Sequence, residues 1–255
     1  MIDARGITQS LCGKWYQKYG AAPCPVCQSG REKNQNALTI ADGRNGRLVL
    51  DCKKSACAFL DILAAAGITS GSYKSPDPET LAKREADQRK EVQKSAAQAR
   101  AIWSEALPIE GTMAETYLRV RGITCSLPKT LRYHPNCWHR ATAKRYPAMV
   151  AAVQGNKLAA IHRTFLRPDG SGKADVEIPK MMLGSTAGAS VRLTEGREAL
   201  VVCEGIETAL SLSSGLLGVP AAIWAALSTS GMRNLSLPSH AGQLTIAPDG
   251  DKAGR

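Results

Sequence analysis

Apolar residues run through this chain in short segments divided by turn residues, and the spacing changes from region to region. Leu38 to Ile40 and Leu48 to Leu50 flank the turn sequence Asp42-Gly43-Arg44-Asn45-Gly46, which predicts a β-hairpin. Residues 71–78, GSYKSPDP, are strong breakers. From Asp77 to about Ala106 the chain is rich in Ala, Glu, Lys, Gln and Arg of mixed charge, which predicts a linker followed by a solvated spacer helix. After Glu198 the texture becomes more apolar. A buried strand is expected over Ala199–Cys203, a helix over Thr208–Leu217, and further strands over Ala221–Leu227 and Leu244–Ala247. Strands alternating with helices predict a parallel α/β sheet, whose ligands gather at the carboxyl ends of the strands, where Glu204 and Asp249 fall.

The stretch from Thr208 to Met232 is uncharged, but Gly215, Gly218, Pro220 and several serines interrupt it, so it reads as helix, loop and strand and not as a membrane span. At 255 residues with 44% hydrophobic content the chain is long enough for about two domains, which excludes disorder throughout. The N-terminus has no apolar signal region and no small-residue cleavage site, predicting a cytoplasmic protein.

Charge sharpens the picture. The net charge is +11, and residues 111–195 supply +8 of it without any low-complexity run. A folded surface of that density is suited to phosphates, and the expected partner is a polyanion such as nucleic acid.

Eight cysteines without a secretory signal point to metal ligands or buried thiols before disulfides. Cys24-Pro25-Val26-Cys27 and Cys52-Lys53-Lys54-Ser55-Ala56-Cys57 bracket the expected hairpin. Two close-spaced thiol pairs joined by a hairpin can converge on a tetrahedral Zn2+, so Cys24, Cys27, Cys52 and Cys57 are the expected ligands of a closed, structural zinc ribbon. Lys53, Lys54, Arg44 and Arg47 would place positive charge beside it, and Trp15, Tyr16 and Tyr19 are candidates for stacking on unpaired bases or for packing. Cys12, Cys125, Cys137 and Cys203 lack such pairing. The run His134-Pro135-Asn136-Cys137-Trp138-His139 fits no common ribbon and is read as structural.

Glu204-Gly205-Ile206-Glu207 follows the first expected strand of the C-terminal region, and Asp249-Gly250-Asp251 follows the last. Glu204, Asp249 and Asp251 would supply hard oxygen ligands for Mg2+, with Mn2+ as a substitute, in displacement at phosphorus. Each motif alone has a plainer reading: D-G-D is frequent in surface turns, and a Glu after a strand can cap the next helix.

The run Glu204 to Ser211, EGIETALS, and the run Asp249 to Arg255, DGDKAGR, resemble the two acidic motifs of the Toprim domain, the second being close to that of bacterial-type DNA primases. The chain as a whole resembles phage- and plasmid-type primases. Tyr117 to Ile123, Arg132 to Pro135, Ile161 to Leu166 and Pro179 to Gly184 are similar to recurring stretches of that group. The resemblance implies a multidomain α/β (α+β) protein: a zinc-ribbon DNA-binding domain at 1–70, a linker and charged helix at 71–106, a basic α+β primase middle domain at 107–195, and a Toprim-type parallel sheet at 196–255. It also implies RNA-primer synthesis on single-stranded DNA from ribonucleoside triphosphates. Glu204, Asp249 and Asp251 would hold Mg2+, and Arg121, Arg163, Lys173 and Lys180 would grip template, primer or nucleotide. A replicative helicase, in the same chain or as a partner, is a further expectation, and no membrane partner is expected.

Two departures stand out. The first thiol pair is Cys-Cys where related primases often use a histidine. Arg255 follows the D-G-D motif by four residues, so the Toprim sheet is expected to be incomplete at its C-terminal edge and the chain to be part of a longer one. The other readings are a Toprim nuclease or topoisomerase, and a non-catalytic module that binds single strands.

Overall fold

The computed structural model describes residues 2–16, 18–28, 36–43, 46–69, 71–155, 157, 159–196, 198–217, 220–239 and 242–249. It is a mixed α/β protein with three sheets among the described residues, divided between Arg89 and Lys90 into two compact units.

The first unit, Met1–Arg89, contains α1 (Ala4–Ser10), β1 (Lys14–Tyr16), β2 (Tyr19–Ala22), β3 (Leu38–Asp42), β4 (Leu48–Cys52), α2 (Phe59–Ala65) and the start of α3 (Pro78–Glu105). Its four strands form an antiparallel sheet in sequential order, and the expected hairpin is β3–β4. Asp3 begins α1 by accepting the Gly6 N–H at 2.8 Å, which satisfies one of the donors a helix start leaves open. Helix α1 lies so close to β2 that a Cβ on Gly20 would stand 1.9 Å from Thr8 Oγ1, so only glycine fits there. Ile7, Leu38, Ile40 and Ile62 form the core, and Cys24 and Cys52 are buried with them. Arg84, near the start of α3, pairs with Asp3 at 2.6 Å and Asp42 at 3.3 Å.

The second unit, Lys90–Arg255, holds the rest of α3, then β5 (Leu107–Pro108), α4 (Met113–Val120), β6 (Leu131–His139), β7 (Lys144–Val153), β8 (Ala160–Phe165) and β9 (Lys180–Leu183). These five strands make an antiparallel sheet in sequential order. The chain continues through β10 (Val191–Thr194), β11 (Ala199–Cys203), α5 (Ile206–Ser211), β12 (Ala222–Ala225), α6 (Thr229–Arg233) and β13 (Gln243–Ala247).

The second sheet has the order β10-β12-β11-β13, with β11 parallel to both β12 and β13. The three strands expected here are parallel, and a fourth, β10, joins at one edge, running antiparallel to β12. The reason is topological: β10 reaches β12 from the preceding antiparallel sheet and not through a helical crossover.

Side chains alternate across β8. Ala160, with Met149, Ala151, Leu131 and Tyr133 from the neighbouring strands, faces a core shared with α4, α5, β11 and β12. On the other face Ile161, Val150 and Leu183 pack against Ala99, Ile102 and Trp103 of α3.

The expected helix over Thr208–Leu217 also differs. Helix α5 starts earlier, at Ile206, and after Ser211 widens into a π-turn over Leu212–Leu216, with Gly215 at φ +110°. Ser211, Ser213 and Ser214 each donate back to a carbonyl four residues earlier, a bond that bends and loosens a helix.

Candidate functional site

The first candidate site is the thiol group of the N-terminal unit. Strand register builds it: Cys52 pairs with Leu38, Leu38 pairs with Ala22, and Cys24 follows Ala22 by two residues. The sulfurs of Cys24, Cys27, Cys52 and Cys57 all lie within 4.8 Å of one another, and Cys27 and Cys52 stand 3.5 Å apart. Ligands about 2.3 Å from one tetrahedral ion stand roughly 3.8 Å apart, so the cluster fits Zn2+.

Its electrostatics fit as well. Burial and the crowding of neighbouring thiols push Cys57 up to about 12, and burial raises Cys24. At Cys52 burial also opposes ionisation, but backbone N–H groups of Ser55, Cys57 and Lys54 aim at the sulfur and hold it down at about 6. Four packed thiols can ionise together only around a cation. Gln28, which the sequence did not single out, ties the first knuckle to the hairpin: its Oε1 accepts from Cys24 N at 2.9 Å and Ala37 N at 3.1 Å. Tyr16 and Tyr19 are exposed and stacked with ring centres 5.4 Å apart, and Lys14 Nζ lies 5.6 Å from the Tyr16 ring. Trp15 packs against the core instead. Arg44 lies outside the described residues.

The second candidate site lies at the carboxyl end of the second sheet. Glu204 follows β11 directly and Asp249 follows β13 by two residues. These strands are parallel neighbours, with Cys203 in register with Ala247, so the backbone brings both acids to one edge. Glu204 is held in place twice over. Its carbonyl accepts Leu227 N–H at 2.8 Å, Leu227 itself having φ +70°. Its Oε1 accepts from Thr229 N at 3.1 Å and Thr229 Oγ1 at 3.2 Å. Glu204 Oε2 is buried with no hydrogen-bond partner among the described residues. An orphan carboxylate oxygen on the same sheet edge as a second carboxylate is what a divalent ion satisfies, so Glu204 and Asp249 fit Mg2+. Asp249 Oδ1 accepts from Thr208 Oγ1 at 3.1 Å. Asp251 lies outside the described residues.

Glu207, one helical turn from Glu204, is the residue that motif reading passed over. It accepts a hydrogen bond from the Tyr117 hydroxyl at 2.8 Å and one from Lys180 Nζ at 3.0 Å, with Lys173 Nζ at 3.8 Å. Burial would raise its carboxyl, but the Lys180 charge and these hydrogen bonds hold it at about 2. Arg121 stacks over the Tyr117 ring at 5.2 Å. Three of the four expected phosphate-gripping residues, Arg121, Lys173 and Lys180, are therefore gathered around Tyr117 and Glu207. His162 stands in the same field, and burial together with Lys180 lowers it to about 4.

Arg163 is not part of that gathering. It is the strand neighbour of His162 and takes the opposite face of β8, in register with Met181 of β9, where it is buried at 5% exposure. The signal available in the sequence was that Arg163 follows His162 directly, so that in a strand the two take opposite faces.

Among the described residues no helix is long and apolar enough to cross a membrane. A search of curated proteins gives no match. Residues 93–193 match the family described as "Domain of unknown function (DUF7146)". The C-terminal stretch that carries Glu204, Glu207 and Asp249 is matched separately, by the Toprim domain over residues 199–255. Toprim domains bind Mg2+ and occur in primases, nucleases and topoisomerases, and the orphaned oxygen of Glu204 lies at the strand end where such an ion would sit. The chain is a Toprim-containing protein.

Proposed function

We propose that this protein is a DNA primase that makes short RNA primers on single-stranded DNA, in the replication of a phage, plasmid or other mobile element. The observation that carries the reading is the juxtaposition at the second sheet: the Glu204 carboxylate with one oxygen unpartnered, Asp249 on the adjacent strand end, and Lys180, Lys173 and Arg121 gathered around Glu207. Nucleotidyl transfer needs both halves of that arrangement, acids for metal and cations for polyphosphate.

In this reading Glu204, Asp249 and Asp251 hold Mg2+, which when bound supplies charge to the attacking oxygen and to the pyrophosphate leaving group. Lys180 and Lys173 bind the triphosphate, and Glu207 keeps the two ammonium groups oriented while leaving the group with net positive charge. The buried Tyr117 hydroxyl orients the other oxygen of Glu207. The zinc ribbon of residues 1–70 holds the template strand, with Tyr16 and Tyr19 available to stack on bases. The segment 71–106 spaces it from a basic domain at 107–195 and the Toprim domain from 196 onward. A replicative helicase acts with it.

The test is incorporation of labelled ribonucleotides on single-stranded DNA with Mg2+, comparing the protein with its Asp249→Ala, Asp251→Ala variant. Short RNA products that vanish in the variant are expected. Carboxylate-dependent nicking of DNA without incorporation would make it a Toprim nuclease instead, and strand binding that survives the double substitution with no chemistry would make it a binding module.

A further inference from the structure

On the face of the middle sheet that turns away from Glu207, a groove of about 600 Å³ opens between α3 and the strands. Glu91, Lys94, Ser95 and Gln98 of α3 line one wall, Arg140 and the Met181–Leu183 stretch of β9 line the others, and Arg163 lies within it. Arg163 is 5% exposed; its Nη1 donates to the Trp138 carbonyl at 3.2 Å and its guanidinium lies beside the Cys137 thiol, but its Nε has no hydrogen-bond partner among the described residues. No described carboxylate forms an ion pair with Arg163, Lys94 or Arg140.

A guanidinium is always charged, and burying it without a counter-anion is costly unless something else supplies the negative charge. Among the described lining residues Glu91 is the single acid, against the three cations Lys94, Arg140 and Arg163. The guanidinium rests on the Phe165 ring at 5.6 Å, with its Nε turned into the protein, and carries its charge at the floor with no carboxylate partner among the described residues. The open side, that unpaired charge and the two exposed cations at the rim together describe a receptor for a tetrahedral oxyanion. We propose that this groove binds a phosphate group of a nucleotide or a nucleic-acid strand, with Arg163 at its floor and Lys94 and Arg140 at its rim. The ligand class rests on the nucleic-acid reading above; the site itself does not rest on the carboxylate chemistry, from which the sheet separates it. For a strand, the groove would be a second hold on the backbone. For a free nucleotide, it would be a reservoir outside the Mg2+ site.

The test uses the whole zinc-loaded chain in buffer free of Mg2+ and Mn2+, with no chelator, so that Glu204 and Asp249 hold no metal while the N-terminal unit stays folded, with two probes: a fluorescein-labelled dT 12-mer and ATP. The Lys94→Ala, Arg140→Ala variant changes only exposed side chains. It is expected to weaken one or both probes tenfold or more and, for the single-stranded 12-mer, to lower the salt slope by about 1.4. The control Lys129→Ala, Lys157→Ala, which removes the same charge elsewhere, is expected to change binding little. Loss for the 12-mer alone identifies a strand site, loss for ATP alone a nucleotide site, and either supports the proposal. On saturation with the weakened probe the Arg163 Nε–H resonance is expected to shift in nitrogen-15 spectra. Equal binding by wild type and the groove variant, equal loss in groove and control variants, or an unmoved Arg163 signal overturns it. Mg2+-dependent incorporation, measured separately with Asp249→Ala, reports on the primase reading alone.

Discussion

The Tyr117 hydroxyl donates to Glu207 at 2.8 Å across ninety residues of chain, joining α4 to the first turn of α5. Tyr117 is fully buried, the Glu207 side chain is 13% exposed, and the acceptor is ionised, so this bond is of the stronger kind.

Removing it tests how far it anchors the site. Tyr117→Phe keeps the ring and the Arg121 stack and leaves Glu207 with Lys180 as its partner. A loss of about 1.5–3 kcal/mol is expected, as for hydrogen bonds to charged groups, read from urea unfolding of the intact chain.

Acid should act on the same region in two stages. His162 is lowered in the folded protein, chiefly by burial, to about 4, so the unfolded chain takes up its proton first; its contribution is complete above about pH 6.5 and is lost as pH falls toward 4. Glu207, held at about 2 against an ordinary value of 4.5, gives stability that is present above pH 4.5 and is lost on falling through 2. The first stage is worth up to about 3 kcal/mol. His162→Gln is expected to flatten the decline between pH 6.5 and 4 in urea unfolding and to leave the lower stage in place.

The thiol cluster should govern the N-terminal unit. One zinc per chain is expected, with four of the eight cysteines slow toward a thiol reagent until a strong chelator is added. Chelation or Cys24→Ser should melt amide protection in β2, β3 and β4, followed by hydrogen exchange. Protection unchanged after metal removal would show that the core of Ile7, Leu38, Ile40 and Ile62 suffices.

At the second sheet, Thr229 acts through Glu204. Thr229→Val removes the hydroxyl donor and keeps the backbone one, so Glu204 Oε1 loses one of its two hydrogen bonds. Mn2+ binding, followed by its paramagnetic resonance, should weaken about tenfold, as supporting partners of metal ligands typically do, while Glu204→Gln should abolish it.

What the sequence made legible was local. The β3–β4 hairpin, the long α3 and the thiol spacing depend on turns, composition and short separations, and Glu204 and Asp249 fell where apolar strands end. The partners of Glu207 could not be read that way, because they come from α4, from the loop before β9 and from β9, and depend on register across β8 and β9. The family resemblance groups Arg163 with Lys180; a period of two along β8 puts it on the other face. The antiparallel β10 edge was hidden for a related reason, since Val191–Thr194 follows the strands of one sheet and hydrogen-bonds in another.

That strand makes the two layers of the second unit hard to part. Gln154 and Ser190 exchange backbone hydrogen bonds at 2.7 and 3.0 Å just before β10 crosses to β12. A protein begun at residue 196 would leave Ala222–Ala225 with an uncovered row of peptide donors and acceptors, on an apolar strand that could recruit another copy of itself. The strand that looks like the tail of one domain thus serves as a sealing strip for the next, and dissecting this molecule for separate study calls for cuts that keep Val191–Thr194 with the residues that follow it.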